Sequence, residues 1–148
     1  MKRILIVCKG NICRSPTAAV ILETKARAIG LNILVDSAGT ENYHVGDAPD
    51  VRSIRHAAKR GYDLSKNRAR QITAEDFEKF DFIWAADQEN IAILKALCPE
   101  FHYPKITLFL GNKALPDPYY GDAKDFENVL NLVEERVDNI IKSTLWMN

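Results

Sequence analysis

The stretch Ile4-Leu5-Ile6-Val7-Cys8-Lys9-Gly10-Asn11-Ile12-Cys13-Arg14-Ser15-Pro16 decides the fold. Ile4–Val7 is a short apolar run rich in β-branched residues, the signature of a buried strand. Gly10 supplies the turn that closes it. Ser15-Pro16 predicts a helix start, with Ser15 as cap and Pro16 where its missing N–H costs nothing. The helix is expected to run through Ala18, Ala19, Leu22 and Ala26 and to stop at Gly30.

Further along, the same alternation repeats. Ile33–Val35 reads as a second strand broken by Asp36-Ser37-Ala38-Gly39, and polar residues from Thr40 to Pro49 read as a surface loop. A helix is predicted over Val51 to Lys59, ended by Gly61. Phe82–Ala85 gives a third strand. Asp87 can cap a helix with Ile91, Leu94, Leu97 and Cys98 on one face, ended by Pro99, and Ile106–Leu108 gives a fourth strand. Phe126, Val129, Leu130, Val133, Val137, Ile140 and Ile141 follow a period of 3.6 in a last helix. Strands alternating with helices imply right-handed βαβ crossovers. The expected fold is α/β, a single domain over 1–148. Its central four-stranded parallel sheet is flanked by helices on both faces, in the Rossmann-like or flavodoxin-like manner. Ligands in such folds bind beyond the carboxyl ends of the strands, which places the turn after the first strand at the centre of interest.

Composition bounds the function classes. At 148 residues, 47% hydrophobic and 27% charged, the chain reads as one globular domain. Twenty basic residues balance twenty acidic ones, so no broad field favours nucleic acid or an anionic membrane. The densest basic patch, Arg68–Arg70 with Lys66, reads as a solvated loop. No apolar stretch approaches the roughly 20 residues of a membrane span. Ile4–Val7 is too short for a signal-peptide core. Three cysteines cannot all pair within one chain, so a reducing, cytoplasmic compartment is expected.

The loop Cys8 to Ser15 carries the chemistry. A cysteine and an arginine with five residues between them are weak evidence alone, but here the stretch joins a buried strand to a helix N-terminus. There, successive backbone N–H groups and the helix dipole favour an anion. Such a setting, with a cation nearby, also favours a thiolate over a thiol. Arg14 can grip two phosphoryl oxygens with its planar fork. Ser15 can donate its hydroxyl to the Cys8 sulfur when that sulfur leaves, and Asn11 can lock the loop by hydrogen bonds. The plain alternative makes Cys8 a buried small hydrophobe and Arg14 a surface cation; the combination of residues favours the phosphate loop. Neither a nucleotide-triphosphate P-loop nor a dinucleotide fingerprint is present.

A cysteine that displaces an alkoxide or phenolate from phosphorus needs a general acid. Leu115-Pro116-Asp117-Pro118-Tyr119-Tyr120 offers Asp117 after the fourth strand, between two prolines. Tyr119 and Tyr120 give aromatic surface for a ring-bearing substrate. Alone, this stretch reads equally well as a Pro-Asp-Pro turn.

With these residues in place, the sequence resembles a low-molecular-weight protein tyrosine phosphatase. The match is carried by Val7–Pro16, Asp36–Thr40, Gly46 with Pro49-Asp50 and Arg52, and Ala69-Arg70-Gln71. It continues through Asp76-Phe77, Phe80-Asp81, Asp87 with Asn90, and Asp117-Pro118-Tyr119-Tyr120. The resemblance implies Cys8 as nucleophile, Arg14 as phosphate and transition-state ligand and Asp117 as general acid. It implies a phosphate-binding loop of Lys9, Gly10, Asn11, Ile12, Cys13, Arg14 and Ser15, shaped by a network of Asn11, Ser15 and Ser37. Lys9, Tyr43, Tyr119 and Tyr120 would line the substrate. The implied substrates are tyrosine-phosphorylated proteins and small aryl phosphates. Phosphate, vanadate or other oxyanions would inhibit, no metal or organic cofactor is used, and the chain is expected as a monomer or weak dimer.

Two positions depart from the family pattern. Asn67 stands where family members often carry His supporting the Asn11 network. Lys9 stands where the family is frequently apolar; it either favours acidic phosphopeptides or points to solvent. The resemblance suggests a reversible Cys8–Cys13 disulfide, against a loop thiol without redox role, and both readings stand open. Cys98 reads as core packing. Arsenate reduction on the same fold is the nearest alternative, but such reductases relay electrons through a downstream cysteine pair and this chain has only Cys98. A catalytically silent phosphoprotein-binding module is the other, and it would need neither nucleophile nor acid. His44, His56 and His102 lack metal-ligand spacing; His44 is placed to line the substrate loop.

Overall fold

Lys2–Cys8 forms strand β1, the hub of a parallel sheet, because its alternate side chains are apolar on both sides. The structure is a computed structural model and describes residues 1–143. Helix α1 follows at Arg14–Ala28, strand β2 at Ile33–Gly39, helix α2 at Val51–Ala58 and helix α3 at Ala74–Lys79. Then come strand β3 at Phe82–Ala85, helix α4 at Gln88–Leu97, a 3-10 turn at Glu100–Lys105, strand β4 at Ile106–Leu108 and helix α5 at Ala123–Lys142.

The four strands lie in the order β2-β1-β3-β4, all parallel. Ile4, Ile6 and Cys8 face one layer, packed with Leu22 of α1 and Val133 and Val137 of α5. Leu5 and Val7 face the other, with Phe77, Phe80 and Leu94. Both faces are therefore covered, as a parallel sheet requires. Each of these fully buried side chains stabilises the fold by about 1.5–3 kcal/mol. The chain leaves β1 for β2 on one side and reaches β3 on the other, so a crevice opens at the carboxyl end of β1. The expected α/β fold with a four-stranded parallel sheet is the observed one.

Several local expectations are corrected. Ser15 is not the cap of α1: Cys13 holds that position, and Ser15 lies in the first turn with its hydroxyl turned to the sheet. Strand β2 does not break at Asp36 but pairs with β1 through Gly39, opposite Cys8. The Gly39 N–H donates to the Arg70 carbonyl and its own carbonyl accepts from Ile72. A Cβ at Gly39 would stand 2.8 Å from the Lys9 carbonyl oxygen, so only glycine admits this close approach of strand and loop. Leu97 is exposed, while Leu94 and Cys98 are buried as expected. Helix α3 and the 3-10 turn were not foreseen. Arg70 is no solvated loop cation; it pairs with Asp36 and Asp76. No helix among the described residues is long and apolar enough to cross a membrane.

Candidate active site

Residues 9–13 wrap between the end of β1 and the start of α1, so the first N–H groups of a 15-residue helix face the loop's interior. Asn11 makes the tight curve with φ at 59°, a left-handed conformation that asparagine tolerates better than most residues. Its side chain is 2% exposed and fully engaged. Nδ2 donates to Ser15 Oγ at 2.7 Å and to Ser37 Oγ at 2.9 Å, and Oδ1 accepts from the Arg70 N–H at 3.0 Å. The network of Asn11, Ser15 and Ser37 is thus assembled, with Arg70 added to it. Asn67 makes no side-chain hydrogen bond to it among the described residues; the Arg70 backbone holds that side of Asn11.

Cys8 Sγ lies 3.1 Å from Ser15 Oγ. Because Asn11 already donates to that oxygen, the Ser15 proton must point elsewhere, and the Cys8 sulfur is closer than the Ala38 carbonyl at 3.5 Å. A sulfur in that position accepts a hydrogen bond best when it is anionic.

Arg14 is 4% exposed. Its Nη1 donates to Asp87 Oδ2 at 2.7 Å and to the Leu115 carbonyl at 3.1 Å. Burial opposes its charge, but Cys8 and Asp87 opposite it raise its pKa above the ordinary arginine value. With Nη1 anchored, Nη2 stands 3.8 Å from Asp117 Oδ2 at the edge of the cleft. Asp117 is 42% exposed in its side chain, and its Oδ1 accepts from the Tyr119 N–H at 3.1 Å. The Leu115 N–H donates to the Ala86 carbonyl, tying the acid-bearing loop to the end of β3.

Cys8, Arg14 and Asp117 line one cleft of about 180 Å³, together with Lys9, Gly10, Ile12, Cys13, Tyr43, His44, Tyr119 and Tyr120. Every residue expected at the substrate is therefore present in it. Tyr120 is fully exposed, Tyr43 and Lys9 are exposed, and Tyr119 is half-exposed. The Tyr119 and Tyr120 rings meet edge to face with centroids 4.9 Å apart. Cys13 is buried beside the cleft, and burial pushes its thiol up to about 12. All three cysteines are free thiols. Among the described residues no group of His, Cys, Asp or Glu gathers as metal ligands.

Three contributors were not assigned a role in the site from sequence. Asp87 acts on it from the turn after β3, where it caps α4, Arg70 from the loop before α3 and Arg52 from the first turn of α2. Asp87 carried a signal, since it follows β3 on the same sheet edge as Cys8, but its capping role drew the whole reading. In chemical terms the cleft offers a thiol at the floor, an anchored guanidinium, converging N–H groups and a carboxyl at the rim.

The chain as a whole is similar to known proteins. The family model described as low molecular weight phosphotyrosine protein phosphatase matches residues 3–145. A Synechocystis relative named for the same phosphatase class is 42% identical over 151 residues, covering 95% of each chain. The human low molecular weight phosphotyrosine protein phosphatase is 38% identical over 137 residues, covering 86% of each. Among solved structures, a protein tyrosine phosphatase from Entamoeba histolytica, crystallised with Hepes in its active site, superposes with a TM-score of 0.91. It is 35% identical and covers 96% of each chain.

Proposed function

Because the chain belongs to the low molecular weight phosphotyrosine protein phosphatase family and is a protein-tyrosine phosphatase, we propose that Cys8 is its nucleophile, Arg14 its phosphate ligand and Asp117 its general acid. The observation that carries this assignment is the Cys8–Ser15–Asn11 network beneath the anchored Arg14 guanidinium, with the Asp117 carboxyl at the rim of the same cleft.

The reaction runs in two steps. The Cys8 thiolate attacks phosphorus in line, the phosphorus–oxygen bond to the phenol breaks, and Asp117 protonates the departing oxygen. Asp117, now a carboxylate, takes a proton from water as that water attacks the phosphocysteine and the Cys8 sulfur leaves as thiolate. Ser15 then stabilises the leaving sulfur. Arg14 and the loop N–H groups bind the three equatorial oxygens in both steps. Tyr43, Tyr119 and Tyr120 flank the substrate ring, and Lys9 stands at the same mouth. Free phosphate and vanadate occupy the same cradle as inhibitors. The protein works as a cytoplasmic monomer or weak dimer with a single phosphatase domain, and Cys13 traps oxidised Cys8 as a disulfide.

Turnover of phosphotyrosine, phosphoserine and arsenate by the purified protein tests the reading, together with Cys8→Ser and Asp117→Asn. Phosphotyrosine turnover alone is expected, abolished in Cys8→Ser with phosphate binding retained. Turnover surviving Cys8→Ser removes the nucleophile assignment, and arsenate reduction exceeding aryl phosphate hydrolysis reverses the function.

A further inference from the structure

Arg52 lies outside the phosphate loop and the acid loop but touches a connection between them. It occupies the first turn of α2, whose cap Asp50 donates its backbone N–H to the Ile12 carbonyl of the phosphate loop. Asp50 grips the Arg52 side chain at two points, Nε at 3.0 Å and Nη2 at 2.9 Å. Its carboxyl is held below the ordinary range by those hydrogen bonds. The same guanidinium also reaches the acid loop. Nη2 donates to the Tyr119 carbonyl at 2.9 Å, across 67 residues of sequence.

The planar group is also held by two rings, with the Phe126 centroid at 4.6 Å and the Tyr119 centroid at 5.6 Å. Such a clamp restricts a side chain that would otherwise keep considerable rotamer freedom. Tyr119 is the residue whose N–H reaches Asp117 Oδ1 at 3.1 Å. The backbone of Tyr119 therefore has Arg52 on its carbonyl and the Asp117 carboxylate on its amide. Asp117 itself is half-exposed and makes no closer contact with Arg14 than 3.8 Å, so this turn supplies its orientation.

We propose that Arg52 is a positioning residue for the general acid: by fixing the Tyr119 carbonyl to α2, it sets the amide that aims Asp117 into the cleft. The inference rests on Asp117 acting as the acid. A carboxyl displaced by even about an ångström protonates a poor leaving group badly, and such misplacement costs up to about a hundredfold. A good leaving group needs no proton and is spared.

The test compares kcat/KM for phenyl phosphate and p-nitrophenyl phosphate, a ratio that covers the steps up to loss of the phenol. Wild type, Arg52→Met, Arg52→Lys, Asp117→Asn and the Arg52→Met/Asp117→Asn double variant are measured, with inorganic phosphate inhibition alongside. Arg52→Met is expected to lose roughly tenfold or more on phenyl phosphate while p-nitrophenyl phosphate and phosphate inhibition stay within about threefold. Arg52→Lys, which keeps a donor but not the fork, is expected to recover part of the loss. In the Asp117→Asn background the Arg52 change should add less than about twofold, because the two residues act through one carboxylate. Equal losses on both substrates, no loss on phenyl phosphate, or an undiminished loss in that background overturns the proposal. If Asp117→Asn itself falls equally on both substrates, the acid assignment fails first and the Arg52 role with it. Should Arg52→Met not fold, Arg52→Lys alone and in the Asp117→Asn background carries the same comparison, and an equal loss on both substrates there overturns the proposal too.

Discussion

Asp87 divides its two carboxylate oxygens between a helix and a catalytic arginine: Oδ1 accepts the Asn90 N–H at 2.9 Å and Oδ2 accepts Arg14 Nη1 at 2.7 Å. The same residue thus caps α4 and sets the direction of the Arg14 fork. The two duties separate under substitution, because asparagine caps a helix as well as aspartate does. Asp87→Asn is expected to keep the α4 cap, so its cost in stability should not exceed the roughly 1.5–3 kcal/mol of the lost charge-assisted bond to Arg14. It removes a charge-assisted hydrogen bond worth about 1.5–3 kcal/mol, so kcat/KM should fall about ten- to hundredfold with weaker phosphate inhibition. Urea unfolding and steady-state kinetics on one aryl phosphate check both halves. A full-strength enzyme would mean that the Leu115 carbonyl alone orients Arg14.

Asn11 holds a left-handed backbone and three hydrogen bonds at once. Asn11→Ala removes the bonds and keeps a Cβ in a conformation that costs about 1–2 kcal/mol for ordinary residues. It should therefore lose activity and stability together. Asn11→Gly relieves the backbone and still lacks the bonds. The expected outcome is a glycine variant more stable than the alanine variant, yet well below wild type in turnover. Parallel melting curves and kcat/KM values separate backbone from side chain; equal stability of the two variants would argue that the left-handed turn is not a source of strain.

The residues that were legible in sequence share a property: their partners are close in the chain or their backbone is self-explanatory. Cys8, Arg14 and Ser15 fall within eight residues, and the prolines around Asp117 announce a rigid turn. Arg70 was misread because its partners Asp36 and Asp76 meet it only when β2 and α3 are in place. Only the capping role of Ser15 was misread, because a serine before proline looks like a cap; its hydroxyl lies against Cys8, as expected, and accepts from Asn11. Asp36-Ser37-Ala38-Gly39 has turn-like composition yet forms strand, since the phosphate loop packs on Gly39. Helix α3 carried a signal, a Thr73–Asp76 capping box, but its six residues bury only Asp76 and Phe77 and show no period. The 3-10 turn, with Pro104 inside it, has no periodic pattern to find.

Cys13 is buried with its thiol pushed up to about 12 by burial, so at neutral pH it stays protonated and resists peroxide itself. Oxidation should begin at Cys8, on the floor of the open cleft, giving a sulfenic acid. Attack by the Cys13 sulfur then forms the disulfide, its proton leaving with the sulfenic oxygen as water. Cys13→Ala is expected to lose activity to peroxide at a rate near that of wild type, but a thiol reductant should restore far less of it. Mass spectrometry should find Cys8 sulfinic acid in the variant and the Cys8–Cys13 disulfide in wild type. Equal recovery in both proteins would leave Cys13 as a loop thiol without redox role.

Asp76 ties the fold to the site through Arg70, and its protonation is the acid weak point of that link. Burial alone would raise the Asp76 carboxyl, but hydrogen bonds from Arg70 at 3.0 and 3.1 Å and from the Thr73 N–H at 2.7 Å hold it below the ordinary 3.8. A carboxyl whose folded pKa is depressed contributes stability above its unfolded pKa, and that contribution is lost as pH falls through the folded value. Asp76→Asn keeps the size and loses the charge. At pH 7 it should cost about 2 kcal/mol, the value of a hydrogen bond to a charged partner. As pH falls below the ordinary carboxyl range towards the depressed folded value, the wild-type advantage is lost, so the gap between the two proteins should narrow. The depressed carboxylates Glu127 and Glu134 pair with Arg60 in both proteins and cancel from the difference. Urea midpoints at pH 7 and at about pH 3 measure it. A gap that does not change with pH would show that Asp76 acts by shape and not by charge. Because the Arg70 N–H also holds Asn11 Oδ1 at 3.0 Å, the same variant should weaken phosphate inhibition at pH 7. If stability falls while phosphate inhibition is untouched, Asp76 supports the fold without shaping the phosphate loop.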